Sequence, residues 1–132
     1  MNCPFSFVKS SFLLVSIFLL CSCAKVAVQP PDQLAGKAEF GKASYYAMKY
    51  QFRKTASGER LNQYSLTAAH RTLPFGTKVK VTNVKNNRSV KVRINDRGPF
   101  VKGRVIDLTR SAFSSIGNLN SGLINVKVEV IR

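Results

Sequence analysis

Histidine occurs once in this chain of 132 residues, and Asp and Glu together six times against 21 Lys and Arg. Acid/base chemistry therefore has few places to sit. Cysteine occurs three times, at Cys3, Cys21 and Cys23, and nowhere after that. That excludes a disulfide framework and a thiolate metal centre from everything beyond residue 23. With one imidazole and scattered acids, no calcium-loop spacing arises, so no metal and no cofactor are expected. Neither a phosphate-cradling glycine loop nor a serine elbow is present. The one long apolar run, Phe12 to Leu20, is broken only by Ser16. It falls short of the roughly 20 residues that a bilayer-spanning helix requires.

That run has another use. Lys9 precedes it, and Leu20-Cys21-Ser22-Cys23 follows it. A basic start, a short apolar core and small residues at its end describe an export signal. The ending resembles a bacterial lipobox, with cleavage between Ser22 and Cys23 and acylation of Cys23. Residues 1–22 are thus expected to be a lipoprotein signal peptide and 23–35 a lipidated cysteine and tether. Acyl chains contribute about 0.8 kcal/mol per buried methylene, so several on one residue anchor firmly. Ala24 at the next position points, by analogy with lipoprotein sorting, to the periplasmic face of the outer membrane. An ordinary signal peptide with an incidental cysteine is the competing reading.

The formal charge is +15 at pH 7, and a field of that size implies an anionic partner. Nucleic acid is the usual candidate, but an exported, lipid-anchored chain does not meet it. Anionic wall glycan and lipid head groups remain.

After the Pro30-Pro31 tether, residues 36–132 suffice for one small core. Glu39 to Tyr46 reads as a strand bent at Gly41. Thr77 to Val84 and Ser89 to Ile94 alternate with period two, Val79, Val81, Val90, Val92 and Ile94 facing inward. Asn86-Asn87 between them is turn chemistry, so the pair is a hairpin. Val105 to Leu108 is a short strand, and Asn125 to Ile131 is the cleanest, with Val126, Val128 and Val130 on one face. One helix is expected, Arg110 to Ile116, capped by Thr109 and closed by Gly117. Ala112, Phe113 and Ile116 share its apolar face. The chain is mainly β, and short strands with one helix suggest a closed barrel.

Three separated motifs go further: Ser57-Gly58-Glu59, then LTAAHRTLPFGTKVKV from Leu66, then VRINDRGPF from Val92 to Phe100. In this order they resemble the bacterial rare lipoprotein A family of septal lytic transglycosylases, over Gly36 to Arg132. The resemblance implies a small six-stranded double-psi β-barrel with one short helix. It also implies endolytic, non-hydrolytic cleavage of peptidoglycan at MurNAc–GlcNAc linkages, leaving 1,6-anhydroMurNAc ends. Peptide-poor strands would be the preferred substrate, with cell-wall amidases or division proteins as candidate partners. Many members carry a second, C-terminal glycan-binding module. None is expected here, which leaves septal enrichment open.

Glycoside cleavage needs a proton donor at the bridging oxygen and a group that draws off the nucleophile's proton. In this family's reaction the nucleophile is the sugar's own C6 hydroxyl, so one carboxyl group can serve as acid and then base. The resemblance implies a site built from Glu59, His70 and Asp96. Asp96 ranks as the acid/base, and Asp107, on a segment loosely like that of related barrels, competes with it. Glu59 and His70 are assigned to tuning, positioning or proton transfer. Each residue also has a structural reading: Glu59 as a solvated loop acid, His70 as a buried hydrogen-bonded residue behind Leu66 to Ala69, Asp96 as a turn-former or partner of Arg97, Asp107 as the helix cap. Arg97, Lys102 and Arg104 are candidates for holding lactyl carboxylates. Tyr45 and Tyr46 are candidates for stacking on sugars, with core packing as the alternative. Two further functions stay in play: an expansin-like module that binds or loosens wall glycan without cutting, and a structural lipoprotein linking membrane and wall.

Overall fold

The computed structural model describes residues 29–132. The signal peptide and Cys23 lie outside them. Six strands form the body: β1 (Ala38–Tyr45), β2 (Thr67–Ala69), β3 (Lys78–Asn83), β4 (Ser89–Asp96), β5 (Arg104–Leu108) and β6 (Ile124–Ile131). They close into a barrel in the order β1-β5-β2-β4-β3-β6. Two neighbouring pairs are parallel, β1 with β5 and β2 with β4, and the rest are antiparallel. Parallel neighbours need crossover connections, and these bring distant segments side by side.

The alternating valines build the core. Val79 lies opposite both Val92 and Val130, and Val81 opposite both Val90 and Val128. Helix α2 (Arg110–Ile116) covers one end with Ala112, Phe113 and Ile116, all fully buried. Burying a side chain such as Phe113 contributes about 1.5–3 kcal/mol. Thr109 caps α2 by accepting from the Ala112 N–H, and the Gly117 N–H donates to the Phe113 carbonyl. Gly117 does so in an extended conformation, not a left-handed one.

At Gly41 a Cβ would meet Val105 Cγ1 at 2.3 Å. Only glycine lets β1 approach β5 there, and the register shifts just after it, between Lys42 and Ala43. The hairpin turn holds Asn87 at φ 58°, the left-handed conformation asparagine tolerates.

Three expectations change. The tether was expected to run to residue 35, but α1 (Pro31–Leu34) packs Leu34 into the core and ties Gly36 N–H to the Val130 carbonyl. Leu66 is 46 % exposed instead of buried with its neighbours. The three residues after it are β2, buried throughout. They sit between β4 and β5 and so show no alternation. Finally, β4 runs two residues past Ile94, to Asp96, because Ala69 of β2 pairs with Asp96.

Candidate active site

The register across the barrel aligns four positions. Asp96 of β4 lies beside Ala69 of β2, Ala69 beside Asp107 of β5, and Asp107 beside Ser44 of β1. Strand neighbours are about 4.8 Å apart, so the two aspartates stand roughly 10 Å apart at the backbone. Their surroundings differ.

Asp96 opens on a cleft of about 600 Å³. Three donors converge on its carboxylate: the Tyr46 hydroxyl to Oδ2 at 2.7 Å, and the Ala56 and Arg97 N–H groups to Oδ1 at 2.9 and 2.8 Å. Burial, then the hydrogen bond to Asp96 and the fields of Asp96 and Asp107, push the Tyr46 phenol well above its ordinary range. It therefore stays protonated at any physiological pH. The cleft is otherwise basic and aromatic, with Arg53 and Lys54 on one side and Tyr50 and Phe100 among its walls. Phe100 is 81 % exposed.

Asp107 does not line this cleft. Ser44 and Arg104 both donate to its Oδ1, and Ser44 is buried. Nor does it cap α2, a role Thr109 fills. Arg104 is committed to this pair, and its Nε is buried with no partner.

Glu59 is gripped by Arg93, whose two terminal nitrogens reach its two oxygens at 2.6 and 2.9 Å, while Asn95 Nδ2 adds a third contact at 3.3 Å. The Arg93 hydrogen bonds, then that of Asn95, hold its carboxyl below the usual glutamate range. A bidentate, ionised carboxylate of this kind is an anchor, not a proton donor. What it anchors is the loop over the end of β4. The Thr55 N–H donates to the Glu59 carbonyl and the Ser57 N–H to the Asn95 carbonyl. Ala56 is thereby held against Asp96.

His70 is brought close to Asp96 through the backbone alone, its N–H donating to the Asp96 carbonyl at 3.1 Å. The ring points elsewhere. Nδ1 accepts from the N–H groups of Thr72 and Leu73 at 3.2 and 3.1 Å. That makes Nδ1 the unprotonated nitrogen and leaves Nε2–H to donate to Glu39, 3.0 Å away. The ring lines a separate, smaller cavity with Glu39, Lys37 and apolar Leu34, Val128 and Val130. Sequence reasoning grouped His70 with the two acids; the structure groups its side chain with Glu39.

The binding candidates divide likewise. The Arg97 guanidinium donates to the carbonyls of His70 and Leu73 and lies 4.0 Å over the Phe75 ring. It lines the cleft while being held from within. Lys102 is exposed on the loop between β4 and β5. Tyr45 packs against Phe113 at 4.8 Å and donates to the Leu119 carbonyl, partly buried against the core and away from the Asp96 cleft. Tyr46 is in the cleft, as a hydrogen-bond partner of Asp96.

Tyr50, Arg53, Lys54 and Phe100 were missed. The signal for the first three is aromatics interleaved with basic residues, from Lys49 to Lys54, and Phe100 closes the VRINDRGPF motif. Phe52, in that run, adopts φ 64°, a conformation costing about 1–2 kcal/mol in a non-glycine residue. It is fixed by the Phe52 N–H to Leu61 carbonyl and Leu61 N–H to Arg53 carbonyl bonds, at 2.8 and 2.7 Å. Arg53 and Lys54, directly after it, line the cleft. Among the described residues no group of three or more His, Cys, Asp or Glu side chains could hold a metal ion.

The family profile described as lytic transglycolase matches residues 38–128. A relative from Synechocystis, a probable endolytic peptidoglycan transglycosylase RlpA, is 59 % identical over 92 residues, which are 70 % of this chain and 29 % of the relative. The Pasteurella multocida endolytic peptidoglycan transglycosylase RlpA is 53 % identical over 104 residues, 79 % of this chain and 35 % of the relative. The chain thus spans about a third of the length of these curated relatives. Among solved structures, a Streptomyces papain inhibitor superposes with a TM-score of 0.61 at 22 % identity, covering 74 % of this chain and 97 % of the inhibitor. A Clavibacter michiganensis expansin bound to cellohexaose gives 0.59 at 20 % identity, covering 73 % and 51 %. These two share the double-psi barrel fold.

Proposed function

The chain belongs to the lytic transglycolase family, and on that premise we propose that it cleaves peptidoglycan strands endolytically and without water, with Asp96 as acid and then base. The observation that carries this reading is that Asp96 is the carboxylate facing the basic, aromatic cleft. In the proposed step, protonated Asp96 gives its proton to the bridging oxygen as the C1–O bond of MurNAc breaks. The same sugar's C6 oxygen then bonds C1 and passes its proton to the Asp96 carboxylate, closing the 1,6-anhydro ring. A phenol both donates and accepts, so Tyr46 stays bonded to Asp96 in either protonation state. Glu59 holds the loop that presents the Ala56 N–H, and His70 holds the turn that presents Arg97. Tyr50 and Phe100 offer apolar faces to sugar rings, and Arg53 and Lys54 offer charge to the lactyl carboxylates of peptide-poor strands.

The export signal and lipobox support acylation at Cys23 and residence at the periplasmic face of the outer membrane. Cys23→Ser should then move the protein from the membrane to the soluble fraction.

The deciding experiment is incubation of residues 25–132 with peptide-free glycan strands and mass analysis of the products. Anhydro-ended fragments, absent with Asp96→Asn, are expected. Strands that bind but stay intact would instead establish a non-catalytic wall-glycan module.

A further inference from the structure

The outward face of the β3–β4 hairpin concentrates positive charge in a way the barrel itself does not require. Register places Lys78 directly opposite Arg93 and Lys80 directly opposite Lys91. Like charges facing one another across a ladder destabilise it. Lysines on an outer strand often guard a free sheet edge against pairing with other chains, but this barrel is closed and has no edge to guard.

Nearby acids offset only part of the charge. Glu129 lies beside Lys80 in register and is paired with Lys127 at 2.7 Å. Glu59 is taken by Arg93. Among the described residues Lys78, Lys80 and Lys91 make no ion pair within 4.0 Å. Exposed Lys85 and Arg88 in the hairpin turn extend the stripe at one end. At the other end Arg93 and Asn95 hold Glu59 and with it the loop that walls the cleft at Lys54 and Thr55. The loop that Arg93 and Asn95 hold thus links the stripe to the cleft wall. From Lys91 to Asp96 the strand rises roughly 17 Å. A run that long suits a polymer with repeated charges better than a small anion.

We propose that this hairpin face, centred on Lys78, Lys80 and Lys91, is a docking track for the carboxylate-bearing glycan strand whose reactive linkage sits in the cleft. The proposal rests on peptidoglycan being the substrate. It assigns grip on long, peptide-free strands to the barrel wall and bond cleavage to the cleft. Strands whose lactyl groups carry free carboxylates would bind; peptide-substituted ones, with that charge displaced outward, would bind less well.

The test uses the full chain with Cys23→Ser to prevent acylation, comparing Lys80 and Lys91 with their double Gln and double Glu variants. Co-sedimentation with long peptide-free strands at low salt should weaken at least tenfold in the Glu variant and less in the Gln variant. The difference should shrink as salt screens it. Turnover of fragments only long enough to fill the cleft should be unchanged, which also reports that the variants fold. Equal binding of strands by all three proteins would overturn the proposal. So would a loss seen only with vesicles of anionic phospholipid, which would make the face a membrane contact. Strands that bind through this face and are never cut would refute the transglycosylase reading and leave the docking track standing.

Discussion

Asp96 and His70 are joined backbone to backbone at 3.1 Å, yet their side chains occupy opposite surroundings. The Asp96 carboxylate takes three donors and still borders an open cleft of about 600 Å³. The His70 side chain is 7 % exposed, with both ring nitrogens bonded inside the fold and Glu39 closing the outer side. One group is oriented and accessible; the other is oriented and used up. The difference teaches how one junction of strands can serve both purposes. The cleft needs a carboxylate held in place but reachable. Holding it there falls to a sealed knot, in which His70 fixes the turn whose carbonyls grip Arg97, and Arg97 in turn presents its N–H to Asp96.

The sharpest way to break this comparison is to substitute both residues and measure rate and stability separately. Asp96→Asn should lower cleavage by about 10²–10⁴-fold, the span of general acid/base catalysis, with a smaller loss of stability, since the Asn oxygen still accepts from the Ala56 and Arg97 N–H groups. His70→Ala should do the reverse in kind. It strands two backbone donors and Glu39, so unfolding free energy should fall by about 2–3 kcal/mol. His70→Gln, whose amide can both accept and donate, should recover much of that loss and keep the wild-type pH–rate profile. If one limb of the profile disappears in His70→Gln, His70 is a proton carrier and the distinction between the two regions fails.

Two smaller effects sharpen the picture. Tyr46→Phe removes one hydrogen bond to a charged group, with a cost of about 1.5–3 kcal/mol. Cleavage should drop roughly tenfold or more, and kcat should carry the change more than KM. Glu59→Gln should be the mildest for stability. The pair with Arg93 is more than a third exposed on both sides, so it contributes below about 1 kcal/mol. Because the folded protein holds the Glu59 carboxyl below its ordinary value, that contribution is complete above the unfolded-state value near pH 4. It is lost as pH falls through the folded one. Urea unfolding of wild type and Glu59→Gln should therefore differ at pH 7 and converge as acid protonates the folded-state carboxyl.

Much of the barrel was legible because period two is a local rule. Val79 and Val81, Val90 and Val92, and Val126, Val128 and Val130 all face inward as the alternation implies. Thr109 and Asn87 act as their chemistry suggests, one at a helix start and one in a left-handed turn. β2 was not legible as a strand: at three residues, buried throughout, it has no outward positions to alternate with. Leu34 was read as tether because nothing near it in sequence signals that it fills a gap beside Val130. The site was half legible. The motifs brought Glu59, His70 and Asp96 to notice, and Tyr46 stood out only as an aromatic for stacking; Glu39 as the partner of His70, Arg93 as the partner of Glu59, and the cleft wall at Tyr50, Arg53 and Lys54 stayed hidden.

By itself the sequence determined which residues face inward along β3, β4 and β6, where the chain turns, where α2 begins, and which few side chains can exchange a proton. Those properties depend on neighbours within a few residues. Only the tertiary structure decided which aspartate meets the cleft, which way the imidazole faces and which cations share a surface. Those outcomes depend on contacts such as Tyr46 with Asp96 and Ser44 with Asp107, separated by 50 and 63 residues. Crossover connections between parallel strands bring such pairs together, and no local period encodes their register.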